Sequence, residues 1–292
     1  MDLNSKQQNI TNQVNDYFNS YTKPQNFPFF TTENLTQALQ EIRNSKVKGY
    51  DLISYELIKI SLSQITLNCL LFFFNSMLFS AKIPDKLNIS IIKPILKDSG
   101  KNTADLNNIR PISISTCFAQ IFEKLILILS PELKISHTNQ FGFKEKTSCN
   151  HALFTLKETI LHYTENRTGI KIVSLDAEKA FDKVWRDALF FKIMKKVNHT
   201  FWVVLKSYYD SSQGTIDLGN GILSELFTIS VGVKQGGMLS PPFFNSIIDD
   251  LIYACIDEKI GARIENINAS IIVYADDIIL LSPVDSHLHK NY

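Results

Sequence analysis

From residue 31 onward, apolar positions recur every three or four residues in several stretches, and β-branched runs stand between them. The first stripe is Leu35, Ala38, Leu39 and Ile42. It follows Thr31 and Thr32, whose hydroxyls suit a helix N-terminus, and so predicts a helix that ends near Lys46–Asp51. The apolar stretch 57–79 predicts one further, buried helix, closed by Pro84. Ile89–Leu96 reads as a β-strand in which Pro94 favours an edge, because proline has no N–H for the ladder. A polar loop, 98–108, leads to a second strand, Ile109–Ser115, so the pair predicts a hairpin-like flap. Helices are expected at 121–129 and 149–163, with an extended piece, 139–146, between them that carries Phe141-Gly142-Phe143. Residues 1–30 are polar and then rich in Pro and Phe, which predicts a loosely packed, poorly ordered lead-in.

After Gly169 the pattern shifts. Ile170–Leu175 predicts a short strand ending at Asp176, followed by a helical turn over 177–184 and a longer helix over 189–209. A hairpin is expected over 214–229, turning at Gly219-Asn220-Gly221. A glycine-rich loop, 231–240, then precedes an amphipathic helix at 241–255. Residues 270–282 read as strand, tight turn, strand, with Ala275-Asp276-Asp277 at the tip. The fold class is α+β, with mostly antiparallel pairing.

Composition narrows the function classes. With 292 residues and 45% hydrophobic content, the chain can bury one large core or two ordinary ones. Its formal net charge is +1, so any attraction to nucleic acid must come from local basic clusters. Cys69, Cys117, Cys149 and Cys255 lie far apart and show no metal-binding spacing, which predicts free thiols in a reducing compartment. The N-terminus lacks the charged and apolar regions of a secretory signal, and polar groups interrupt 57–79 too often for a membrane span. The expected location is nuclear and/or cytoplasmic.

Two acidic sites stand out because each ends an apolar strand: Asp176 after Ile172–Leu175, and Asp276-Asp277 after Ile271–Tyr274. Carboxylates so placed are costly unless a positive charge offsets them, and adjacent aspartates repel one another. Mg²⁺ resolves both problems, since it takes a few carboxylates together with substrate phosphates. Two such ions ~3.5–4 Å apart can activate a hydroxyl and stabilise the leaving oxygen of a phosphoryl transfer. Turn chemistry and helix capping explain the same residues equally well. On the carboxylates alone, both readings stand.

The surrounding segments separate them. Tyr274-Ala275-Asp276-Asp277 resembles the YxDD turn of reverse transcriptases, and Ser174 to Val184 resembles that family's first catalytic motif in its non-LTR, LINE-type form. Gly232 to Pro241 is similar to the Gln-Gly loop between them. Asn108 to Ser113, Asn139 to Phe143, Ile92-Lys93-Pro94 and Lys46 to Ile53 resemble the fingers and pre-fingers segments. They occur in the family's order over roughly residues 45–282. The resemblance implies a right-hand polymerase with an antiparallel palm sheet under packed helices: fingers over 31–165, an incomplete palm over 166–292, and no thumb. It implies that Asp176, Asp276 and Asp277 hold two Mg²⁺ ions, with Mn²⁺ as a substitute, and that Asp277 is the secondary ligand. Lys93 and Arg110 would clamp the triphosphate, where an Arg fork suits phosphate oxygens. Phe181 would act as the steric gate against a 2′-OH, and Gln235 with Gly236 would approach the nucleotide. Phe141 and Gly142 would contact template or primer, although an aromatic pair beside glycine, as Phe141 and Phe143 are, is more often packing. The implied partners are an RNA template, a DNA primer and dNTP, and no membrane.

The sequence departs from the family at Lys234, where relatives carry Pro or Arg, at Gly237, and at Pro242-Phe243-Phe244. Lys179 and Asp182 are expected only to pin their segment by salt bridge or cap, and Asp249-Asp250 to be structural. A chain without a thumb is expected to bind nucleic acid weakly and in a salt-sensitive manner.

Overall fold

The computed structural model describes residues 3–44, 47–102, 104–284 and 286. Lys46, which opens the segment before the fingers, and Tyr292 lie outside them. The described helices are α1 (Leu3–Asn19), α2 (Thr32–Glu41), α3 (Tyr55–Ile60), α4 (Gln64–Ser80), α5 (Cys117–Leu129), α6 (Cys149–Glu165), α7 (Arg186–Ile193), α8 (His199–Asp210) and α9 (Ser240–Asp257). The strands are β1 (Ile89–Leu96), β2 (Ile109–Ser115), β3 (Lys171–Asp176), β4 (Gln213–Gly219), β5 (Ile222–Leu223), β6 (Phe227–Thr228), β7 (Arg263–Ile264), β8 (Ile267–Asn268), β9 (Ile271–Tyr274) and β10 (Asp277–Ser282). The chain folds as two compact units, Met1–Leu133 with Phe181–Ser240, and Lys134–Ala180 with Pro241–Tyr292. Residues 181–240 thus belong to the first of these units.

The first unit is built on the sheet β2-β1-β4-β5, with β6 also on β4. β1 pairs antiparallel with β2 from Ser90 to Leu96, and parallel with β4 only from Ile89 to Ile92. Pro94 therefore stands where β1 has a single neighbour, directly opposite Pro111. Two residues lacking N–H groups are tolerated there because β2 is the edge of the sheet. The parallel contact with β4 was not expected from the chain's local pattern. Beside the sheet lies an aromatic core in which Phe74, Phe122, Phe190, Trp202 and Tyr208 are fully buried.

Several helix expectations change. The stretch 57–79 is two helices and not one, because Ser63 caps α4 by accepting from the Thr66 N–H. It is also less buried than expected: Leu70, Phe74, Met77 and Leu78 face inward, while Ile65 and Phe72 are exposed. Residues 177–184 form turns and no helix, and 189–209 is split at Asn198, which caps α8. The expected lead-in contains helix α1. Its apolar stripe is thin, but Val14 is buried, Tyr17 stacks on His199 at 3.9 Å, and Thr11 donates to Asp187 at 2.8 Å. No local periodicity announces those distant partners.

The second unit is the antiparallel sheet β3-β10-β9, covered on both faces. Ile271, Val273, Ile278 and Leu280, with Val173 and Leu175, pack on Ile252 and Cys255 of α9. Ile272 and Leu281, with Ile279, pack on Ala152 and Leu156 of α6. Burial on both sides is why β9 and β10 are continuous apolar runs without alternation. All four cysteines are free. No helix among the described residues is long and apolar enough to cross a membrane.

Candidate active site

In the second unit β9 and β10 form a two-residue hairpin, in which Tyr274 pairs with Asp277 across the Ala275-Asp276 turn. Asp277 pairs on its other side with Asp176 at the end of β3. Residues directly opposite in an antiparallel pair have Cβ atoms only ~4.5–5.5 Å apart, so two carboxylates meet on one face and Asp276 stands at the tip between the strands. Asp176 and Asp277 are exposed and Asp276 is half-buried. None of the three carboxylates has a hydrogen-bond or ion-pair partner among the described residues. Like charges facing one another across a ladder cost stability unless a cation joins them. The donor set is hard oxygen only, which suits Mg²⁺. No group of three or more His, Cys, Asp or Glu side chains among the described residues forms a ready metal cage. The carboxylates fit an ion that takes most of its ligands from water and substrate.

The same turn is buttressed from behind. Residues 139–141 lie alongside β9, where the Phe141 N–H donates to Val273 O at 2.8 Å and the Val273 N–H to Asn139 O at 2.9 Å. Gly142 is so close that a Cβ there would stand 2.1 Å from the Ala275 nitrogen. Its carbonyl accepts from Asn245 Nδ2 of α9 at 3.1 Å. Phe141 is half-buried and packs on the layer of Ala152 and Ile272, while Phe143 is 48% exposed. Asp249 is buried and accepts from the His137 N–H at 2.9 Å, the structural role expected of it.

In the first unit, Lys93 pairs with Ile112, and Arg110 lies two residues before Ile112 on the same strand. Side chains two apart share a face, so Lys93 and Arg110 project from one side of the β1–β2 flap. Both are exposed and neither has a hydrogen-bond or ion-pair partner among the described residues.

The glycine-rich loop in this unit is stitched to its neighbours through backbone. Val233 N–H donates to Phe181 O and Gly232 N–H to Val184 O, both at 2.9 Å, and Ser113 N–H donates to Gln235 O at 2.7 Å. Gly232 has φ +79 and a Cβ there would lie 2.7 Å from Asp182 O; Gly236 has φ +113 and would meet Ser113 O at 2.8 Å. Both positions need glycine, for conformation and for close approach. Gln235 Nε2 donates to Asp182 Oδ1 at 2.8 Å, so Asp182 ties the turn after β3 to the glycine-rich loop. Phe181 is half-buried.

A buried polar network beneath the loop was not foreseen. Lys234, Tyr208, Asn88 and Glu123 are all buried. Lys234 Nζ donates to Asn88 Oδ1 and, at 3.2 Å, to the Tyr208 hydroxyl. That hydroxyl donates to Glu123 Oε1 at 2.7 Å, while Glu123 Oε2 accepts from the Met238 N–H at 2.6 Å and the Leu239 N–H at 3.3 Å. Burial pushes the Lys234 amine down to about 8, with Glu123 pulling the other way, and burial pushes the Tyr208 phenol up. Arg186 adds a second anchor, donating to the carbonyls of Gly232 at 3.0 Å and of Tyr209 and Ile229 at 2.6 Å. The signal for Glu123 was present in the sequence as the one acid, beside Lys124, in the largely apolar run Ile121–Leu129.

Residues 95–292 match the reverse transcriptase (RNA-dependent DNA polymerase) family, and the chain belongs to it. Among its relatives is the RNA-directed DNA polymerase from mobile element jockey of Drosophila funebris, 26% identical over 86% of this chain and 27% of the relative. A probable RNA-directed DNA polymerase from transposon BS of Drosophila melanogaster is 27% identical over 85% of this chain and 27% of its own length. The kinship is thus with the non-LTR, LINE-type enzymes, as the motifs implied, and the chain spans little more than a quarter of these relatives. A telomerase structure from Candida albicans covers 78% of this chain and 44% of its own, at a TM-score of 0.48 and 14% identity, too loose a likeness to add weight to the family match.

Proposed function

We propose that this chain carries RNA-directed DNA polymerisation, in which a primer 3′-OH attacks the α-phosphorus of a dNTP and pyrophosphate leaves. The observation that carries the reading is the Asp277–Asp176 pairing beside Asp276 at a hairpin tip, in a chain of the reverse transcriptase family. Asp176 and Asp276, with Asp277 in support, would hold divalent ions whose chemistry is to lower the pKa of the attacking hydroxyl and stabilise charge on the leaving oxygen. The chain's own groups do the rest. Lys93 and Arg110 bind phosphate oxygens from one face of the flap, and Arg110 contributes the bidentate geometry. Gln235 and Gly236 offer close-approaching backbone and an amide held by Asp182. RNA template and DNA primer are the proposed partners, on the strength of the family.

Primer extension on an RNA template with a DNA primer, dNTPs and Mg²⁺ tests this directly. Extension that stops on chelation supports it, and a folded chain giving no extension with Mg²⁺ or Mn²⁺ overturns it. For Phe181→Ala, discrimination against rNTP is expected to relax by about 10- to 100-fold, the scale on which a pocket rejects one added hydroxyl. Competition between dCTP and CTP in the same assay measures it, and unchanged discrimination would remove Phe181 from the gate role.

A further inference from the structure

The Ala275-Asp276 turn contains a strained residue. Ala275 has φ +60, in the left-handed region that a Cβ-bearing residue enters only at a cost, and it immediately precedes Asp276. Such a conformation persists where its surroundings impose it. Gln140 does so with one side chain. Its Oε1 accepts from the Ala275 N–H at 3.0 Å and from the Gly142 N–H at 2.7 Å, and its Nε2 donates to the Ala275 carbonyl at 3.2 Å. The carboxamide thus grips both peptide groups of the strained residue, and it is fully buried. Its own backbone is fixed because Asn139 and Phe141 bond to Val273 on either side of it. The Asn139 side chain adds a bond to Ile271 O at 2.8 Å.

We infer that Gln140 is a positioning residue which, by clamping Ala275 in its left-handed conformation, sets the direction in which Asp276 presents its carboxylate to a divalent cation. The role rests on the polymerase reading above. Gln140 is fully buried, and its carboxamide acts through backbone, that of Ala275 and of Gly142. A carboxamide of this length supplies an acceptor to the Ala275 N–H and a donor to the Ala275 carbonyl at once. A residue that merely filled space would not need them.

In Gln140→Met, which keeps the volume and removes both functions, kcat for primer extension is expected to fall by about 10- to 100-fold, the range seen when an outer partner of a metal ligand is lost. KM for dNTP should stay within about threefold, because the phosphate-binding side chains are untouched. Mn²⁺ affinity, read by electron paramagnetic resonance without substrate, should weaken by about tenfold or more. Adding Ala275→Gly to Gln140→Met should return about fivefold of both, since glycine adopts positive φ without strain. In the unaltered chain the Ala275 amide should be strongly protected from hydrogen exchange. A folded Gln140→Met chain that keeps kcat and Mn²⁺ affinity within about twofold of the parent would overturn the role. So would rapid exchange at Ala275, a result that needs no variant to fold. An unaltered chain that fails to extend primers defeats the polymerase reading alone, while Mn²⁺ affinity and exchange at Ala275 still decide the clamp.

Discussion

Asp276→Asn is expected to abolish primer extension, by at least ~10³-fold in single-turnover rate, while leaving the fold intact. Asparagine keeps the size of the side chain and suits a turn, so the hairpin should form as before. It removes one charged oxygen donor from a site whose charge is the reason a cation would bind. A factor of about 10³ corresponds to about 4 kcal/mol of transition-state stabilisation. Asp277 is Cα-paired with Asp176 and adjacent to Asp276, so neutralising Asp276 relieves like-charge repulsion in the metal-free chain. The melting temperature should therefore stay level or rise slightly without metal, and its increase on adding Mn²⁺ should shrink. Thermal melts with and without Mn²⁺, run beside the kinetic assay, check both halves. Extension within about tenfold of the parent would mean that Asp276 is not a ligand.

The second large effect concerns stability. Glu123→Ala is expected to cost ~3–5 kcal/mol, the range for removing one partner of a buried charged pair. It leaves the Tyr208 O–H and the Met238 and Leu239 amides without their acceptor and removes the nearby negative charge that favours the Lys234 ammonium. Urea unfolding measures the loss, and a change below about 1 kcal/mol would show that the network does not stabilise the loop. Lys234 also gives stability a pH dependence of defined sign. Its folded pKa, about 8, lies below its ordinary value of 10.5. Between these values the unfolded chain binds more protons than the folded one, so this group's contribution to stability rises with pH above about 8. Tyr208, pushed up by burial, acts oppositely once free tyrosine begins to ionise near ~10. The Lys234 rise thus lies at about pH 8 to 10, where the Cys255 thiol, pushed up by burial, opposes it. The effect is therefore read as the difference between the parent and a Lys234 variant. Lys234→Met should flatten the stability profile there, as followed by urea midpoints at several pH values.

Much of this molecule was legible in its local pattern. The flap strands, the Gly219-Asn220-Gly221 turn and the β9–β10 hairpin all lie where residue periodicity and turn chemistry predict them, because each is specified by neighbours within a few positions. The resemblance in Tyr274–Asp277, Ser174–Val184 and Gly232–Pro241 carried the family as well. Other expectations failed where local signals competed. Residues 57–79 are rich in apolar side chains, yet a serine cap divides them, and Ile65 and Phe72 face solvent. Residues 177–184 have helical composition but serve as a platform of turns against which Gly232 and Val233 are bonded.

By itself the sequence determined which residue types end which strands, and hence the carboxylates, the flap cations and the loop glycines. Only the tertiary structure decided what each is held by. Gln140 reads as one polar residue in an extended segment until it is placed 3.0 Å from the Ala275 nitrogen. Glu123 and Lys234 read as a stray acid on a helix and a departure from the family until burial joins them through Tyr208. Asp176 and Asp277 become neighbours only through the register of β3 on β10. The physical reason is the same throughout. Helix and turn propensities act over a few residues, whereas a buried polar group must find its partner wherever the fold brings one, at any separation along the chain.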